Sequence, residues 1–212
     1  MIHLLNIIKF WAIVSISGCF VQQSFAEIDF ITPNDKKIII MGLTLDETLE
    51  KTNYPTCAKE RVKTVTKITC LDIGFSPYVR FLWDEPTTDG ILALKASDKP
   101  SFMADPDPML SLSFDENKKL LFVGLYTKGV EVQDEVIALL IKRFGKPNIL
   151  INVDDNTPPR TPGMAGSIYA VWDKDDFVIR YVSQYANTVG SLTIGLRRLY
   201  HTYPIYWVKD QI

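Results

Sequence analysis

The residues Leu110-Ser111-Leu112-Ser113-Phe114 put an apolar side chain at every second position. In an extended chain successive side chains point to opposite faces, so this pattern demands a strand with one buried face. Asp115-Glu116-Asn117-Lys118 supplies turn residues, and Leu120 to Tyr126 follows as a second apolar run, which predicts a hairpin. The second half repeats the plan. Ile168 to Trp172 and Phe177 to Ser183 flank Asp173-Lys174-Asp175-Asp176, and Leu192, Ile194 and Leu196 alternate in a last strand over Ser191 to Tyr200. Val62 to Leu71 is β-branched and alternating and predicts one more strand. Strands of this kind need a layer over their apolar face.

Two helices are expected to supply those layers. Thr44 with Glu47 three residues on forms a capping box behind Gly42, and the helix so opened runs to about Thr52, before Tyr54-Pro55. Asp134 to Phe144 carries Val136, Leu140 and Phe144 on one stripe; Lys142 and Arg143 sit at its negative end, Gly145 terminates it and Pro147 prevents continuation. Each helix opens on Asp-Glu and is followed by strands, a weak internal repeat. The expected fold class is therefore α+β: two helix-plus-antiparallel-sheet units, 27–126 and 127–212, after a cleaved signal peptide at 1–26.

The leader reading rests on Lys9, an apolar run from Phe10 to Phe20, and small residues after it. About eleven apolar residues are too few to span a bilayer. Two cuts compete. Ile16-Ser17-Gly18-Cys19 resembles a lipobox, in which Cys19 would carry lipid; Ser24-Phe25-Ala26 before Glu27 resembles an ordinary signal-peptidase site and is favoured, because Phe20 is a bulky neighbour for a lipidated cysteine. The expected location is periplasmic or secreted. The alternative is a lipoprotein of the outer or inner membrane, and a membrane partner is expected only if Cys19 is lipidated. Once Cys19 leaves the count, Cys57 and Cys70 form an even pair in an oxidising compartment and are expected to bridge.

Little in the chain points to catalysis. The formal net charge is −2 and becomes more negative when Lys9 is lost, which offers nucleic acid no electrostatic footprint. The local cluster Lys59, Arg61, Lys63 and Lys67 alternates with apolar and Thr positions as one solvated strand face. Of two histidines, His3 lies in the leader, so His201 alone could serve a triad, and it stands at a strand end with no Gly-x-Ser-x-Gly in the chain. The acidic groups at Asp105 to Pro108, Asp154 to Asn156 and Asp173 to Asp176 match no calcium loop and read as turn chemistry. No catalytic residue, metal or cofactor is assigned.

The stretch Met41-Gly42-Leu43-Thr44-Leu45-Asp46-Glu47-Thr48-Leu49 resembles the helix start of small bacterial envelope proteins, the SmpA/OmlA (BamE-like) lipoproteins and the β-lactamase-inhibitor-like modules. Phe144-Gly145-Lys146-Pro147 is similar to the Gly-x-Pro that ends their helical part, and Trp172 with its hairpin falls where they place a sheet. The resemblance implies a helix-then-sheet fold, an envelope location and protein binding as the activity. It implies no catalytic residues.

The expected function is therefore that of a non-enzymatic protein binding another envelope or periplasmic protein, as an inhibitor, immunity-type protein or assembly factor. A periplasmic small-ligand carrier is the alternative, and a hydrolase the third reading. The binding surface is expected on the sheet faces and on two irregular Pro- and Gly-containing segments, 84–108 and 152–167. Trp83, Pro158, Pro159 and Arg160 are its candidates there. At the C-terminus Tyr203, Tyr206 and Trp207 are candidates, as aromatics bury much area at low entropic cost. Trp172, in phase with Ile168 and Ala170, is expected in the core.

Overall fold

The computed structural model describes residues 30–34, 37–49, 53–57, 68–74, 87–104, 109–152, 166–186 and 189–201. They form eleven strands and one α-helix. A small sheet joins β1 (Ile31–Asn34), β2 (Lys37–Ile40) and β3 (Leu43–Thr44). A large one is built from β4 (Cys70–Ile73), β5 (Thr88–Ala93), β6 (Met109–Phe114), β7 (Leu120–Thr127), β8 (Ile149–Asn152), β9 (Ile168–Asp173), β10 (Phe177–Ala186) and β11 (Val189–Leu196). The helix α1 (Gln133–Phe144) lies between β7 and β8 in the chain.

The large sheet is antiparallel throughout, in the order β4-β5-β6-β7-β11-β10-β9-β8. Two four-stranded meanders thus meet at their last strands. The β7–β11 seam runs from Gly190 opposite Thr127 to Gly195 opposite Phe122, across the expected boundary at 126/127. This overturns the expectation of two helix-plus-sheet units. The chain is mostly β, with one helix among the described residues and two antiparallel sheets, and strands from both halves share one sheet.

Leu112, Val123, Ile194, Ile179 and Trp172 lie on one face, because each is the direct cross-strand partner of the next. All are buried in one core with Val136, Leu140 and Phe144 of α1 and with Phe30, Ile31, Ile38, Ile40 and Leu43 of the small sheet. Helix and small sheet together form the second layer. Each such side chain contributes about 2 kcal/mol on burial. Phe144 meets Phe177 edge-on, with ring centroids 6.0 Å apart, and Phe30 meets Phe102 likewise at 5.4 Å. The fully buried Trp172 donates its indole N–H to the carbonyl of Gly145 at 2.7 Å, which satisfies an end-of-helix acceptor and pins α1 to β9. Gly145 has φ +76°, the left-handed conformation that lets the helix stop there.

The helix expected from Thr44 does not form over the described residues to Leu49. Leu43–Thr44 is strand, and Asp46 is left-handed at φ +61°. The backbone of this segment pairs with β7 instead: Asp46 N–H donates to Leu120 O at 2.8 Å, and Leu120 N–H donates to Glu47 O at 3.0 Å, which takes a carbonyl that a helix would have used internally. Leu45 and Leu49 are buried by this pairing. The residues that carry the family resemblance therefore make a turn and a short strand rather than a helix start.

Other expectations fare variously. The hairpin β6–β7, the hairpin β9–β10 and α1 form as read. β11 ends at Leu196, earlier than expected, and Arg197–His201 is a 3-10 turn. Segment 84–108, expected to be irregular, contains β5, whose Gly90 fits because a Cβ there would stand 2.8 Å from Asp72 O and 3.1 Å from the Phe114 ring. Cys57 and Cys70 are bonded, with their Cα atoms 4.9 Å apart. The predicted strand residues Val62 to Lys67 and the basic cluster with them lie outside the described residues.

Candidate functional site

The same alternation that buries one face of the large sheet defines the other. Ser111 is opposite Gly124, Gly124 opposite Thr193, Thr193 opposite Arg180 and Arg180 opposite Val171, so these five form one row across β6, β7, β11, β10 and β9. The next row along contains Tyr126, Ser191, Val182 and Tyr169, and the row on the other side Ser113, Phe122, Gly195, Val178 and Asp173. Ser111, Tyr126, Tyr169, Arg180 and Ser191 are half-buried, unlike the sealed apolar face. Between them Phe122, Val171, Val178 and Thr193 are buried, so what this face offers a second protein is a scatter of polar and aromatic side chains of intermediate exposure.

The turn after β11 folds onto this face. Tyr200 rests over Gly195, where a Cβ would come within 3.1 Å of its ring, and Phe122 fills the same space from β7 at 3.1 Å. Glycine at 195 lets the two aromatic rings lie directly on the backbone. Burial pushes the Tyr200 hydroxyl above its ordinary pKa, while the neighbouring Thr193 hydroxyl and the Arg180 charge act the other way. Tyr169 is raised by burial too, and again Arg180 opposes the rise. The positive charge of Arg180 is thus felt at both phenols.

A groove of about 430 Å³ lies between the small sheet and the β9–β10 turn. Its cations are already engaged. Lys37 pairs with Glu47, Arg198 approaches Asp46 at 3.7 Å, and Arg197 approaches Asp173 at 3.4 Å. These partly exposed pairs are each worth under about 1 kcal/mol and leave the groove nearly neutral towards a charged ligand. It is the poorer candidate.

Among the sequence candidates, the Cys57–Cys70 bridge is present. Trp83, Pro158, Pro159 and Arg160, the C-terminal Tyr203, Tyr206 and Trp207, and Cys19 all lie outside the described residues, and so does the leader. Trp172 is core, as expected. Asp173 to Asp176 form the β9–β10 turn, closed by Lys174 N–H donating to Phe177 O at 2.9 Å. No group of three or more metal-ligating side chains stands together among the described residues. No helix there is long and apolar enough to cross a membrane. The alternation that places Tyr126, Tyr169, Arg180 and Ser191 on one face is legible in the sequence, but that they stay half-buried there depends on the strand order. Compared with known protein families, curated proteins and solved structures, the chain finds no match in any of the three.

Proposed function

We propose that this is an extracytoplasmic, non-enzymatic protein that binds another envelope protein through the polar face of its eight-stranded sheet. One observation carries the reading. A sheet this broad is sealed on one face by α1 and the small sheet, while on the other Ser111, Tyr126, Tyr169, Arg180 and Ser191 stay half-buried among the buried Phe122, Val171, Val178 and Thr193. Tyrosine and arginine are the residues that most often anchor protein interfaces. The disulfide supports the extracytoplasmic part, since such bridges persist in oxidising compartments. The proposed route there is the leader at 1–26, with release after Ala26 and lipidation at Cys19 as the alternative. Inhibition, immunity or assembly remain the proposed roles, in keeping with the SmpA/OmlA and inhibitor-like resemblance.

Site-specific photo-crosslinking tests this. With p-benzoylphenylalanine in place of Ser111 or Ser191, periplasmic extract should yield one discrete adduct, competed by unlabelled protein. The same group at Ile141, exposed on the outer side of α1, should yield none. Equal adducts from Ile141, or none from the sheet positions, would sink the proposal.

A further inference from the structure

The two edges of the large sheet differ. At one end the segment 55–57 runs along β4 and hydrogen-bonds to Leu71. At the other end no strand lies outside β8 among the described residues. An open edge presents a row of backbone N–H and C=O groups to any strand that reaches it, and proteins commonly guard such edges with charged side chains or proline. β8, Ile149-Leu150-Ile151-Asn152, carries neither.

Its composition suits a strand with a neighbour on each side. Ile149 and Ile151 stand on one face of the sheet and Leu150 on the other, so both faces are apolar. Leu150 ends a row that crosses β7, β11, β10 and β9 through Leu125, Leu192, Tyr181 and Ala170. Those four are buried, whereas Leu150 is 51% exposed. One more apolar side chain beyond Leu150 would continue the buried row.

The sequence about Leu150 reads the same in both directions: Asn148-Ile149-Leu150-Ile151-Asn152. Two antiparallel copies related by a two-fold axis at Leu150 set Leu150 against Leu150, Ile149 against Ile151 and Asn148 against Asn152. Apolar side chains then meet apolar ones on both faces, and the amides meet at the ends. Moving the axis by one residue sets Leu150 against an asparagine. A strand of a different protein has no cause to match this symmetry; a second copy matches it at every position.

We infer that a second copy of this chain adds at β8, antiparallel and edge to edge, so that the two eight-stranded sheets become one. Stable interfaces bury about 1,200–2,000 Å². Four residues a side do not reach that alone, so the dimer forms by mass action as concentration rises. The edge and the polar face proposed above are separate surfaces, and either interaction can be lost without the other.

Sedimentation velocity of the purified protein, disulfide intact, should show the monomer giving way to a species of twice its mass between low and high micromolar concentration. Leu150→Lys sets like charges opposite each other and should weaken association about tenfold or more, as should Leu150→Glu. Because Leu150 meets its own copy, mixing these two variants should restore a dimer. Leu150→Cys should oxidise to a disulfide-linked dimer. Val130→Cys, at a position 39% exposed on the turn before α1, should stay monomeric. A monomer at every concentration, a dimer that Leu150→Lys leaves intact, or a mixture no better than either variant alone overturns the inference. So does p-benzoylphenylalanine in place of Leu150 if its adduct in periplasmic extract is with a different protein rather than a second copy. Should Leu150→Lys fail to fold, the cysteine crosslink decides.

Discussion

Tyr181 shows how much one position depends on its surroundings. It is fully buried on β10, and burial pushes its phenol up to about 12, with Asp134 and Glu135 in the first turn of α1 adding to the rise and the Thr127 hydroxyl opposing it. The two hydroxyls are neighbours without hydrogen-bond geometry, and neither has another partner. The sign of the pH effect follows. The folded state holds the phenol neutral while the unfolded chain ionises near 10.0, so stability present below pH 10 is lost as pH rises towards 12. By about pH 11.5 the loss from this residue should reach about 2 kcal/mol. Tyr181→Phe should be neutral or slightly stabilising near pH 9 and should lose that part of the alkaline decline. Urea titrations of both proteins at the two pH values decide it, and an unchanged slope in the variant refutes the assignment. In the sequence, Tyr181 was one residue of an apolar run; its partners come from β7 and α1, which the strand order brings over it.

At the scale of elements, the edge strand β4 is held by a staple. The disulfide joins Cys70 of β4 to Cys57, and the chain before Cys57 runs beside the strand: Cys57 N–H donates to Leu71 O and Leu71 N–H donates to Pro55 O, both at 2.9 Å. An unpaired edge invites association, and this contact covers it. The bridge closes a loop of about 14 residues, which in the chain-entropy model stabilises by roughly 3 kcal/mol. Replacing both cysteines by alanine should therefore cost about that much in a denaturant titration. In hydrogen exchange the Leu71 and Cys57 amides should lose protection before Val123 in the centre of the sheet does. Full protection at Leu71 in the variant would contradict the staple. The elements legible in sequence were those whose signals are local. α1 has its stripe, its basic last turn and its glycine stop, and β6–β7 has its alternation and turn. Thr44 to Leu49 carried an equally local capping box and misled, because those residues' backbone groups found stronger company in β7. β5 was missed because Asp89 and Gly90 depress strand propensity, although the crowding at Gly90 is what admits that residue between β4 and β6.

For the whole molecule the decisive contact is the β7–β11 seam. Six residue pairs join the two meanders there, from Thr127–Gly190 to Phe122–Gly195. Leu125, Val123, Leu192 and Ile194 along it are buried in the common core. Separated fragments 27–126 and 127–212 would each expose one of these strands as an apolar edge and lack part of the covering layer. Neither should fold alone, and the intact chain should unfold in a single transition with tryptophan fluorescence and far-UV circular dichroism coinciding. Two resolved transitions, or a fragment with native-like near-UV dichroism, would show the halves to be independent. The face that carries Tyr126, Tyr169 and Arg180 belongs to this scale as well, since its central rows exist only when both meanders lie side by side.

By itself the sequence determined the antiparallel hairpins, the helix at 133–144, the buried Trp172 and the cysteine pairing. Each follows from side-chain period, capping, turn residues or parity, which act between neighbours in the chain or are set by composition. The tertiary structure alone decided that the two halves share one sheet, that Thr44 to Leu49 pairs with β7 rather than coiling, and that Arg180 stands among Tyr169, Thr193 and Tyr200. Those outcomes depend on which strand edges meet. Edge pairing joins residues far apart in the chain through backbone hydrogen bonds that carry no side-chain signature, so a reading along the chain has nothing from which to infer it.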